Sequence, residues 1–90
     1  MITVGTHATK VYSDDEGLHV RYHNTRVVSA AGRTVTLRNG GWYTATTKKR
    51  MNQFAYQYGY RFWVYQKDFA WYVDTPEGEL QFEDGMTFRA

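Results

Sequence analysis

The chain has 90 residues, 42% of them apolar and 18% aromatic, with no cysteine and a net charge of +2. That length predicts one domain over residues 1–90 with a small core, and the apolar share excludes a disordered chain. The missing cysteine excludes disulfide scaffolds, cysteine–zinc sites and thiol nucleophiles.

The chain opens without a basic head and apolar stretch, and no apolar run approaches the roughly 20 residues of a membrane span. Neither a signal peptide nor an anchor is expected, and the reading is a cytoplasmic protein. Asp14-Asp15-Glu16-Gly17 reads as a turn. Leu18, Val20 and Tyr22 then alternate with His19, Arg21 and His23, which predicts a half-buried strand with the histidines on its wet face. Val27 and Val28 extend a second short strand, and Val35 and Leu37 alternate in a third. Asn39-Gly40 tolerates the positive φ of a hairpin turn and predicts Leu37 opposite Trp42 and Val35 opposite Thr44.

A helix is predicted over 47–58, capped by Thr46 or Thr47 and stopped by Gly59. Met51, Phe54, Ala55 and Tyr58 form its buried stripe, while Lys48, Lys49, Asn52, Gln53 and Tyr56 face outward. Tyr60, Phe62 and Val64 then alternate with Arg61, Trp63 and Tyr65. A turn at Lys67-Asp68 sets Val64 opposite Trp71, Phe62 opposite Val73, Trp63 opposite Tyr72 and Arg61 opposite Asp74. Leu80 and Phe82 alternate, and Asp84-Gly85 turns into Met86-Thr87-Phe88. The expected fold is α+β: a bent antiparallel sheet or small barrel of short strands with one main helix. The expected core is Leu37, Trp42, Met51, Phe54, Phe62, Val64 and Trp71.

No phosphate loop, nucleophile elbow or metalloprotease motif occurs, so a non-enzymatic module without cofactor or metal is expected. Two histidines with a lysine could cleave RNA, but nothing in the sequence fixes their geometry. His19 and His23, four apart on a strand, lie about 13 Å apart, too far for one ion.

The charge is unevenly placed. No acid occurs from Gly17 to Lys67, where nine bases lie, whereas six acids follow from Asp68 onward. Such asymmetry points to an anionic partner, unless the acidic tail folds against the basic middle. Thr46, Thr47, Lys48, Lys49 and Arg50 crowd the helix start, where cations oppose the macrodipole and free N–H groups suit a phosphate. The competing reading makes the lysines solubilising surface and pairs Arg50 with a tail carboxylate. Trp63, Tyr65 and Tyr72 exceed what period-2 burial can cover. Beside Arg61 they suit base stacking; they suit equally a protein interface, a homodimer or a second core layer.

The stretch Gly40-Gly41-Trp42-x-Thr44-x-Thr46-Thr47-x-x-Arg50-Met51-Asn52-Gln53 resembles small proteins encoded by tailed bacteriophages, as do Tyr22-His23-Asn24-Thr25 and Phe82-Glu83-Asp84-Gly85-Met86. The resemblance implies a bacterial host cytosol and transfers no activity or site residue. It favours two roles. One is contact with nucleic acid through the basic, aromatic-rich middle. The other is inhibition of a host enzyme or defence complex, in which the acids from Asp74 to Asp84 mimic a nucleic-acid backbone.

Overall fold

The computed structural model describes residues 3–90. Strands β1 (Thr9–Asp14), β2 (Gly17–Tyr22), β3 (Thr25–Ala31) and β4 (Thr34–Leu37) form an antiparallel meander, and β8 (Met86–Arg89) adds to β4. Between β4 and β8 come helix α1 (Ala45–Tyr58) and a second antiparallel meander, β5 (Trp63–Lys67), β6 (Ala70–Thr75) and β7 (Gly78–Gln81). The fold is α+β with two open sheets, and neither closes into a barrel.

One apolar cluster joins the three parts. Val20, Val28, Val35 and Leu37 line the inner face of the first sheet, with Val20 opposite Val28 and Val28 opposite Leu37. Met51, Phe54 and Ala55 of α1 and Val64, Trp71 and Val73 of the second sheet complete it. The helical stripe is the expected one except that Tyr58 is exposed.

Three sequence expectations need correction. Residues 9–13, which carried no assignment, form a strand with Asp14, expected in the following turn, and this strand changes the environment of β2. Tyr12 lies opposite His19 with ring centroids 5.1 Å apart, and Asp14 Oδ1 sits 2.7 Å from His19 Nε2. His19 is therefore buried beneath β1 side chains, not solvated on an outer face.

Next, Asn39-Gly40 does not close a hairpin. The free edge of β4 is taken by β8, so Leu37 meets Met86 and Val35 meets Phe88. The backbone N–H groups of Asn39 and Gly40 donate to Asp84 Oδ1, which ties the turn to the β7–β8 connection. Gly40 and Gly41 take φ of 62° and 85°, and Trp42 N–H donates to Asn39 O. The chain turns there and enters α1, leaving Trp42 70% exposed. The other six expected core residues are buried.

The third correction is a register. The turn falls at Asp68-Phe69, so Val64 pairs with Val73, Tyr65 with Tyr72 and Trp63 with Asp74. This is two residues from the expected pairing. A two-residue slip preserves which face each side chain takes, so the burial of Val64, Trp71 and Val73 is unchanged.

Candidate functional site

Helix α1 begins at Ala45, two residues earlier than expected, and its cap is neither Thr46 nor Thr47. Thr44, in extended conformation, is the N-cap, and its Oγ1 accepts from Thr47 N–H at 3.2 Å. Thr47 is buried and its hydroxyl is shared with that of Thr44 at 2.9 Å. Gly59, at φ 75°, ends the helix as expected.

The helix start does not act as one cationic cluster. Arg50 is 6% exposed and points into the protein. Its Nε donates to Thr9 Oγ1 at 2.9 Å and its Nη1 to Gln53 Oε1 at 3.1 Å, with the guanidinium 5.9 Å from the Tyr22 ring centre. Among the described residues it pairs with no tail carboxylate. Gly5 runs directly over it: a Cβ there would lie 2.6 Å from Arg50 Cζ. The same segment is held to α1 by Val4 N–H and Gly5 N–H, which donate to Gln57 Oε1 and Gln53 Oε1.

Lys48 and Lys49 face the other way, into a groove of about 600 Å³ between α1 and β5. Tyr56, Trp63 and Tyr65 share that groove, and no carboxylate lines it. Trp63 is 56% exposed, and Tyr72 stacks on Tyr65 with centroids 6.0 Å apart. Lys48 Nζ reaches Gln66 Oε1 at 3.4 Å and lies 5.5 Å from the Trp71 ring centre. The groove floor is fixed by Asn52, which bonds both backbone groups of Val64. Arg61 is exposed in the α1–β5 connection and does not line the groove. Its expected place opposite Asp74 belongs to Trp63. Asp74 in turn faces Glu79 across β7, so an acidic row borders the rings on the side away from the lysines.

Among the described residues, no carboxylate from Asp68 onward forms an ion pair with the basic middle. Among the described residues the ion pairs are Asp14 with His19 and Arg26, and Glu16 with Arg26, all within β1–β3 and their connections. The His19 hydrogen bond, with smaller help from Glu16 N–H and Arg26, holds the Asp14 carboxyl below its ordinary 3.8. Arg26 is pushed up, chiefly by donating to the Tyr12 hydroxyl oxygen at 2.7 Å.

A second concavity, about 530 Å³, opens on another side of the helix start. Thr46 and Thr47 line it with Tyr22, Thr25, Asn39 and Trp42. Asn39 is 2% exposed. Its Oδ1 accepts from Gly41 N–H at 2.9 Å, and its Nδ2 has no partner among the described residues. A buried donor left unpaired costs about 1–3 kcal/mol, so natural proteins rarely keep one. Sequence reasoning took Asn39 for a turn residue and Trp42 for core. Only the Asn-Gly-Gly run ahead of a capped helix marked the place.

The fold and these two concavities define a small α+β domain with two open recesses around one helix, neither lined by an acid. The chain belongs to the Kyanoviridae Gp96 protein family, a phage family whose model matches residues 3–89. No curated protein and no solved structure matches it. Among the described residues, no helix is long and apolar enough to cross a membrane.

Proposed function

We propose that this phage protein is a non-enzymatic module that contacts single-stranded nucleic acid in the bacterial host cytosol through the α1–β5 groove. One observation carries the reading: Lys48, Lys49, Trp63 and Tyr65, distant in sequence, converge on one recess with no carboxylate in its lining. Lysines supply phosphate contacts that are insensitive to sequence, and exposed rings supply stacking surface. The acidic row at Asp74 and Glu79 repels a backbone from the far side, so the strand runs along the helix side. Thr46, Thr47, Arg50 and Arg61 take no part in this groove.

Fluorescence anisotropy with single-stranded and duplex DNA and RNA tests it. Charge reversal of Lys48 and Lys49 to Glu should weaken binding for all sequences and flatten the salt dependence. Trp63→Ala should weaken single-strand binding by about 1–3 kcal/mol and leave the salt slope unchanged. Absence of binding at about 50 mM salt, where phosphate contacts are strong, would rule the reading out.

A protein-directed role is the second reading, and Phe69 favours it. This ring sits at the β5–β6 tip, 97% exposed and at φ 67°. Exposed aromatics of this kind anchor protein interfaces. On this reading the domain blocks a host enzyme or defence complex. Retention of one host protein at fixed stoichiometry after nuclease treatment, lost in Phe69→Gly, would support it over the first.

A further inference from the structure

We propose that the cleft at the start of α1 binds a nucleotide, with the phosphate on the helix start and the base on Trp42, accepting a hydrogen bond from Asn39 Nδ2. The inference stands on a different side of the helix from the α1–β5 groove and does not depend on it.

Asn39 carries the argument. Its Oδ1 is committed to Gly41 N–H and its backbone N–H to Asp84. Turning the carboxamide over would set an NH₂ against the Gly41 N–H, so the network fixes which end is the donor. The result is a buried donor without a partner among the described residues, on a residue that lines the cleft. A ligand carbonyl or ring nitrogen supplies the missing acceptor.

The helix start supplies a second, separate preference. Thr44 satisfies the N–H groups of Thr47 and Lys48. Those of Ala45 and Thr46 precede any intrahelical acceptor. No acidic residue stands in the first turn to occupy them, and none lines the cleft. Free N–H groups at the positive end of a helix dipole, beside the Thr46 hydroxyl, favour an anion with several acceptor oxygens. Trp42 adds an aromatic face that the core does not use. A planar group bearing an acceptor, joined to a phosphate, meets all three demands. The cleft volume falls in the range of small-ligand sites. The same chemistry is offered by a free mononucleotide and by one nucleotide of a strand.

Isothermal titration calorimetry with the common ribonucleoside monophosphates and a short single-stranded oligonucleotide separates the two sources. Inorganic phosphate and the matching nucleoside serve as part-ligands, each expected to bind at least about tenfold more weakly than the nucleotide. Thr46→Glu places a carboxylate where the phosphate sits and suits the helix dipole. It should keep or raise stability while weakening binding at least about tenfold. Asn39→Asp keeps the acceptor for Gly41 and removes the donor, and should also abolish binding. Should that variant fold poorly, Thr46→Glu and Trp42→Ala, both altered at the surface, carry the test. Trp63→Ala should leave mononucleotide affinity unchanged, so the cleft and groove fail separately. Binding of the oligonucleotide alone, lost in Thr46→Glu, assigns the cleft to one residue of a strand. No binding of either ligand at millimolar concentration, or binding indifferent to Thr46→Glu, would overturn the proposal.

Discussion

The Asn52 side chain completes the edge of β5 as a neighbouring strand would: its Oδ1 accepts from Val64 N–H at 2.7 Å and its Nδ2 donates to Val64 O at 2.8 Å. Helix α1 is thereby fastened to the second sheet at a strand edge that would otherwise expose unpaired backbone. Asn52→Leu should cost about 1–3 kcal/mol, because both groups of Val64 lose their partner while half-covered by the helix. Urea denaturation measures the loss. The freed edge should also make the variant more prone to associate, visible in sedimentation.

Gly5 and Arg50 form a coupled pair. Gly5→Ala drives a methyl into the guanidinium and should destabilise by about 1–3 kcal/mol. Arg50→Met, which removes a buried cation held only by neutral partners, should change stability much less than loss of a paired charge would. In the double variant the Gly5→Ala penalty should shrink, since the flexible thioether yields space. A double-mutant cycle reads this non-additivity, and additive penalties would show that the two residues do not press on each other.

Phe69 holds a left-handed conformation that side chains adopt at a cost of roughly 1–2 kcal/mol. Its ring contributes nothing to the core, being almost wholly exposed. Phe69→Gly should therefore raise the thermal midpoint, equivalent to about 1 kcal/mol of stability. An unchanged or lower midpoint would mean that the ring contributes to the turn in a way its exposure does not reveal.

Phe54 and Trp42 should respond oppositely to truncation. Phe54 is fully buried, between Tyr58 and Tyr60, with centroids 5.0 and 5.3 Å away. Phe54→Ala should cost about 3–5 kcal/mol, close to the whole stability of so small a domain. Trp42→Ala should stay within about 0.5 kcal/mol of wild type. Chemical denaturation of both variants checks the pair.

Acid sensitivity should trace in part to Asp14. Its carboxyl holds a proton less readily in the folded protein than in the unfolded chain, where its ordinary value is 3.8. Between those two values the unfolded chain binds more protons, so stability falls as pH falls. Asp14→Asn should flatten the acid limb of a stability–pH curve below about pH 4 and leave the slope near neutrality unaltered. An unchanged acid limb would show that the His19 contact does not favour the carboxylate.

Local signals in the sequence were enough for the elements that depend on near neighbours. The stripe Met51, Phe54 and Ala55 at helical spacing, the stop at Gly59 and the alternation through Val64 and Val73 each follow from backbone geometry acting over a few residues. These sufficed for the α+β class and for six of the seven expected core residues. Partner choice was decided in three dimensions. Leu37 could have met Trp42 or Met86, and two long-range bonds from the Asn39 turn to Asp84 favour the second. Arg50 and Lys49 are neighbours of the same charge type, yet the N-terminal segment covers one and leaves the other in solvent. The recesses around α1 follow the same rule. Trp63 and Lys48 line one groove because a sheet edge docks along the helix, and Asn39 keeps an unpaired donor among the described residues while Asp84 and Gly41 hold its other groups. Periodicity fixes which side of an element is apolar, but burial and hydrogen-bond satisfaction across distant segments select what that side meets.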